Sequence, residues 1–260
     1  MTIRLTSPRP GVALITIDRP EKRNAFDVET DNRLRAIWPG IERDAAIRCI
    51  VLTGAGEKAF CAGADIPSYL PELRRRAETN MDDGTFGGMT RRVPTRKPII
   101  AAINGDALGG GLELALASDI RLASAKARFG LPEVCVGVIA GGGGVTRLPR
   151  LLPPSLAAQM LLAGDMIDAE TALVSGLVSR VYPNPAELIE AALDTAERIA
   201  SNAPLAVERT LSLIRQSRSL SLAEALEAER AAFRDILATA DSVEGIAAFA
   251  ERRPADFKGV

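Results

Sequence analysis

The chain has 260 residues, 47% of them hydrophobic and 25% charged, with a formal net charge of −1. That length buries a large core and fits one sizeable domain or a domain with an appendage. Near-zero net charge gives no electrostatic case for nucleic acid or for an anionic membrane surface as partner. Histidine is absent, which excludes Ser-His-Asp and Cys-His catalysis and His-liganded metal sites. Proton transfer near neutral pH then falls to carboxylates, lysine, tyrosine or cysteine.

Three widely spaced cysteines, Cys49, Cys61 and Cys135, suggest a reducing compartment and no disulfide framework. No segment has the layout of a signal peptide, and no apolar run reaches the roughly 18 residues of a membrane helix. A cytoplasmic protein is expected.

Residues 12–18 alternate and are β-branched, which predicts a strand ending at Arg19-Pro20. Residues 27–41 have helical spacing, with Phe26, Leu34, Ile37 and Ile41 on one face. Short apolar strands are expected at 49–53 and 99–103, a short helix at 112–117 and a strand at 120–123. Between them, residues 68–98 lack clean periodicity and carry Asp82-Asp83-Gly84 and Gly87-Gly88, which predicts a partly mobile surface segment. The alternation of strands and helices indicates an α/β arrangement. From Pro153 onward the chain reads as mostly helical. Asn184-Pro185 with Glu187, Ser221 with Glu224 and Asp241 with Glu244 have the form of helix caps. The terminal helices are expected to pack on the chain's own core, the commoner fate.

Four segments carry candidate chemistry. In residues 104–119, Gly109, Gly110 and Gly111 directly precede a helix, with Glu113 in its first turn. Glycines allow a ligand close to main-chain N–H groups, and a helix start leaves those groups unpaired beside partial positive charge. Such a place suits a developing oxyanion, with Glu113 able to move protons. Close packing plus dipole complementation explains the same residues. Residues 59–66, Ala-Phe-Cys-Ala-Gly-Ala-Asp-Ile, suit a second tight backbone approach at Ala64 or a packed loop, with Cys61 buried for structure. Gly54-Ala55-Gly56 with Ala59 matches G-x-G-x-x-A, but no helix follows, which argues against a dinucleotide site. Glu133 follows Pro132 and enters an apolar run. A carboxyl in apolar surroundings has a raised pKa and can act as an acid, although helix capping is the ordinary role of such a residue. Gly141 to Gly144 then form a four-glycine loop.

Taken in this order, the segments resemble the crotonase, or enoyl-CoA hydratase/isomerase, family. The likeness runs through RPEKRNAF at 19–26, GAGEKAFCAGADI at 54–66, NGDALGGGLELALASDIRLA at 104–123, FGLPEVCVGV at 129–138, RLPRLLP at 147–153 and FKG at 257–259. It implies an α/β fold with a ββα spiral core: a catalytic, acyl-CoA-binding unit over 1–195 and a C-terminal helical trimerisation region over 196–260. Homotrimers or homohexamers are expected. The resemblance implies that the amides of Ala64 and Gly110 form an oxyanion hole for the thioester oxygen. It implies that Glu113 activates water and Glu133 supplies a proton to the α-carbon. Lys22, Asn24, Ala25, Ala62, Asp65, Ile66 and Gly109 match the cradle for the acyl-CoA, and Phe257 and Lys258 match residues that touch the coenzyme A of a neighbouring subunit. No cofactor and no metal are expected, coenzyme A being part of the substrate. Having both glutamates favours a hydratase over an isomerase, and residues 147–167 also resemble carnitinyl-CoA dehydratases. Where the family commonly has P-G-A-G-G-T-Q-R, residues 140–147 read A-G-G-G-G-V-T-R. A CoA-binding scaffold without turnover is the non-enzymatic alternative.

Overall fold

Strand β1 (Ile3–Arg9) turns at Gly11 and pairs antiparallel with β2 (Val12–Ile17). The computed structural model describes residues 2–79, 85–91, 93–217 and 219–260, so Asp82-Asp83-Gly84 lie outside the described residues. Beyond the hairpin the first sheet is parallel. It adds β3 (Cys49–Gly54), β5 (Ile99–Ile103), β7 (Ile120–Ser124) and β10 (Arg180–Tyr182), in the order β1-β2-β3-β5-β7-β10. A second sheet, β4-β6-β8-β9, comprises β4 (Ala59–Cys61), β6 (Asp106–Leu108), β8 (Arg128–Gly130) and β9 (Met166–Asp168). After each central strand of the first sheet the chain steps into the second sheet and then into a helix. This gives β3-β4-α2 (Ile66–Glu78), β5-β6-α3 (Gly110–Ala117) and β7-β8 followed by a 3₁₀ turn at Pro132–Val136. The fold is therefore the expected α/β spiral of ββα units.

Strands β3 and β5 are buried along their whole length, as continuous apolar runs covered on both faces must be. Alternate residues enter opposite cores. Ile50, Leu52, Ile99, Ala101 and Ile103 join the main core, with Leu34, Trp38 and Ile41 of α1 (Val28–Arg43). Val51, Ile100 and Ala102 meet Leu188, Ala192, Leu193 and Ala196 of α7 (Pro185–Ala200). Helix α7 runs through residue 195, so the sheet's second face is closed by residues from both sides of the expected boundary. Asn184 caps it by accepting from Glu187 N–H at 3.0 Å.

Helix α1 starts where Asp27 accepts from Thr30 N–H at 2.8 Å, and continues through Pro39 to Arg43. Three expectations are corrected. Within residues 68–98, expected to form a surface segment, the described part holds most of α2 and buries Tyr69, Phe86, Met89 and Thr90. Their apolar side chains are few and widely spaced, so periodicity did not show them. Asp241 is not a helix cap. Thr239 caps α10 (Ala240–Glu251) through Ser242 N–H, and buried Asp241 accepts from the backbone of Lys258 and Gly259 at 2.6 and 2.7 Å. The last two helices also do not settle on the chain's own core, α10 burying only Asp241 and Ala248. Helix α9 (Leu222–Leu237), opened by the Ser221–Glu224 capping box, buries no residue. Strands β1, β4, β6, β8, β9 and β10 are additional to those expected, all being short or largely exposed.

Candidate active site

Helix α3 starts at Gly110 because Gly109 adopts φ +53°, a left-handed conformation that glycine enters without a Cβ penalty. The loop after β4 crosses this start. A Cβ on Gly63 would stand 3.2 Å from Gly110 N and 2.9 Å from Leu108 O, and one on Gly111 would run into Cys61 O. Small residues at these points are thus what lets two main-chain segments meet. Among the described residues, no group accepts a hydrogen bond from the amides of Ala64 or Gly110. They are two unpaired donors on adjoining loops, one of them at a helix N-terminus.

Glu113 lies one turn into α3 and is 4% exposed. Its Oε1 accepts from Gly144 N–H at 2.9 Å, so the four-glycine loop supplies the carboxylate's partner. Burial raises its pKa, opposed by the Gly144 and Gly142 N–H groups and by the Arg147 guanidinium. Glu133 approaches from the Pro132–Val136 turn. A Cβ on Gly109 would lie 3.2 Å from Glu133 Oε1, which places this carboxyl beside the start of α3. Its Oε2 is buried with no partner among the described residues. Burial first, and the charge of Glu113 second, push Glu133 up to about 7. Two carboxyl groups that sense each other's charge titrate as a pair and can share one proton near neutrality. The apolar run after Glu133 is itself exposed, Val136 by 54%, so contact with the neighbouring loops, not that run, desolvates the carboxyl.

Phe86 and Thr90 also belong to this region, and the sequence reading did not single them out. A Cβ on Gly110 would touch the Phe86 ring at 2.8 Å, and one on Gly142 would stand 3.2 Å from Thr90 Oγ1. Gly87 and Gly88, both at positive φ, were the available signal of a tight turn there. Cys61 is fully buried and its thiol is pushed up to about 12 by that burial, which suits a packing role.

The structure brings Ala64, Gly109, Gly110, Glu113 and Glu133 together. A ledge leads away from them, tied by Ala62 N–H to Arg23 O, Phe26 N–H to Gly63 O and Asp65 N–H to Phe26 O at 2.7–3.0 Å. Lys22 and Ile66 are exposed on this ledge, with Ala25, Ala62 and Asp65 partly so. Asn24 is fully buried; its amide donates to Ala55 O and Ala59 O and accepts from Arg19 N–H. It shapes the ledge from beneath. Phe257 and Lys258 lie elsewhere in the chain. Phe257 O accepts from Arg48 at 3.0 Å and Lys258 pairs with Asp256. A groove of about 1060 Å³ beside β7, β10 and α7 contains none of the candidate residues.

The sequence profile of the enoyl-CoA hydratase/isomerase family matches residues 8–260. The chain is 44% identical to (E)-benzylidenesuccinyl-CoA hydratase of Thauera aromatica over 248 residues, covering 95% of this chain and 96% of that one. It is 39% identical to carnitinyl-CoA dehydratase of Proteus mirabilis, covering 99% and 98%. A crystal structure of enoyl-CoA hydratase from Bacillus anthracis superposes over the whole of both chains with a TM-score of 0.90 at 36% identity. This chain belongs to the enoyl-CoA hydratase/isomerase family and has the crotonase fold. It is an enzyme of the hydratase/isomerase type acting on enoyl-CoA thioesters.

Proposed function

We propose that the chain is an enoyl-CoA hydratase, adding water reversibly to a 2-enoyl-CoA thioester. The observation that carries this reading is the pairing of two desolvated carboxyl groups, Glu113 and Glu133, with two unpaired amides, Ala64 and Gly110. In this reading the thioester oxygen lies between the amides, which stabilise it as it gains charge. Glu113, held by the glycine loop, takes a proton from water as its oxygen bonds to the β-carbon. The π electrons move to the thioester oxygen, forming the enolate. Glu133 gives its proton to the α-carbon, and the carbonyl reforms. Transfer of the proton from Glu113 to Glu133 restores the pair. Dehydration runs the same steps backwards.

The adenine and pantetheine would follow the ledge of Lys22, Ala25, Ala62, Asp65 and Ile66, whose shape Asn24 and Gly109 fix. No cofactor or metal is required. The unit over 1–195 carries the chemistry, and the helices over 196–260 assemble a homotrimer or a pair of trimers. Phe257 and Lys258 would there meet the coenzyme A of a neighbouring copy. We place the protein in the cytoplasm.

The test is loss or gain of enoyl-thioester absorbance with a panel of CoA esters. The panel includes a short-chain 2-enoyl-CoA and, following the two named relatives, (E)-benzylidenesuccinyl-CoA and carnitinyl-CoA. Hydration or dehydration by the wild type that Glu113→Gln and Glu133→Gln each abolish supports the assignment. Unchanged hydration by Glu133→Gln overturns its role. Turnover of a 3-enoyl-CoA that survives Glu113→Ala moves the reading to an isomerase.

A further inference from the structure

The 86–90 turn lies against both halves of the candidate site. Phe86, 7% exposed, covers Gly110 and stacks on Phe26 at 4.6 Å, while Tyr69 meets it edge-on at 5.7 Å. Thr90, fully buried, accepts from Phe86 N–H at 2.7 Å and backs the Gly142–Gly143 stretch of the glycine loop. That loop donates the hydrogen bond to Glu113.

Two glycines at positive φ do not hold such a turn rigidly, and something outside it must. The holding group is a carboxylate. Asp31 of α1 is fully buried. Its Oδ1 accepts from Gly87 N–H at 2.7 Å, and its Oδ2 from Arg35 Nε at 2.7 Å. Arg76 of α2 adds an ion pair at 3.7 Å. Trp38 Nε1–H donates to Gly87 O at 2.9 Å, and Arg35 also donates to Thr85 O. Both polar groups of the Gly87 backbone are thus bound by side chains of α1.

We propose that Asp31 is a positioning residue of the active site: its carboxylate clamps the 86–90 turn against the Gly110 amide and against the glycine loop that holds Glu113. A buried carboxylate shared among two guanidiniums and an amide is costly to disturb, because removing one partner leaves the others desolvated and unpaired. That makes the clamp stiff. This inference rests on the enoyl-CoA reading of the site, but part of its test does not.

Trp38 is the chain's one tryptophan, buried and bonded to the turn, so its emission reports the clamp directly. The experiment compares wild type, Asp31→Asn and Glu42→Gln. The last breaks bonds to Thr95 and Arg96, away from the site, and is the control for a general loss of stability. Each protein is measured for Trp38 emission, kcat and KM on the best enoyl-CoA, and coenzyme A affinity. Asp31→Asn is expected to shift Trp38 emission to longer wavelength. It should lower kcat by about 10- to 100-fold, the scale of misplacing reacting groups by about an ångström. Coenzyme A affinity should stay within about twofold of wild type, as expected when placement rather than binding is lost, and Glu42→Gln should keep kcat. An Asp31→Asn protein with wild-type kcat, or with unchanged emission, overturns the clamp. So does an equal fall of kcat in both variants. If Asp31→Asn does not fold, Phe86→Leu takes its place: a kcat loss at retained coenzyme A affinity supports the inference, and an unchanged kcat overturns it. Absence of wild-type turnover on every CoA ester defeats the enoyl-CoA reading instead. The clamp is then decided by whether Asp31→Asn shifts the emission.

Discussion

The two sheets and the last two helices treat hydrophobic side chains in opposite ways. In β3 and β5 every residue is buried, and alternate side chains fill two cores within the same chain. In α9 none is buried. There Leu222, Leu226, Phe233 and Leu237 stand half exposed or more, and in α10 so do Val243, Ile246 and Phe249, the last by 88%. Each such side chain gives roughly 1.5–3 kcal/mol when buried, so a contiguous face of them is far from the arrangement an isolated chain would favour. The contrast teaches where the chain is complete by itself. The site's loops rest on the self-sufficient half, which supplies the contacts of the glycine-rich segments.

The sharpest break of that contrast is chemical. Glu113→Gln with Glu133→Gln should abolish hydration, by more than about 10³-fold given the usual weight of positioned acids and bases, while leaving oligomeric state unchanged by light scattering. Ala64→Pro removes one of the two unpaired amides without touching either carboxylate. It should lower kcat by about 10²–10³-fold, read from the same absorbance assay. Phe233→Asp with Phe249→Asp acts on the other half. For the proposed trimer, it should reduce the solution mass to that of one chain while the circular dichroism of the sheets persists.

The smallest effect is a stability one. Glu133 is raised from its ordinary 4.5 to about 7 by burial and the Glu113 charge. Between those values the folded chain holds a proton that the unfolded chain has released. Stability therefore falls as pH rises through this window, and the penalty is complete above about 7. Glu133→Gln removes it, so its melting temperature should exceed wild type by a few degrees at pH 8 and match it near pH 4. Hydration by the wild type should decline above about pH 7 as Glu133 loses the proton it must donate.

Much of the site was legible in the sequence because its logic is local. Gly109 needs a left-handed backbone, Gly110 opens a helix and Glu113 follows one turn on, all within five residues. The loop at 61–64 was legible as a close approach, although what it approaches is a segment more than 40 residues away. The 86–90 turn was not legible. Its anchors, Asp31 and Trp38, lie on another helix, and Asp31 sits where a hydrophilic residue reads as solvated surface. Asp241 misled for the same reason: an acidic residue near a helix start looks like a cap, yet its partners are the backbone amides of Lys258 and Gly259, in the tail beyond the helix.

By itself the sequence determined the strands that are apolar on both faces, the helix starts capped by Asn184 and Ser221 and the exclusion of histidine chemistry, since each depends on residues within a few positions. Tertiary structure decided the rest. It brought Glu133 beside Gly109, gave Glu113 its bond from Gly144, and lifted both carboxyl pKa values, because desolvation and charge coupling arise only where distant segments pack. It also left the faces of α9 and α10 uncovered, since whether an amphipathic helix meets its own core is set by the geometry of the whole chain and not by its periodicity.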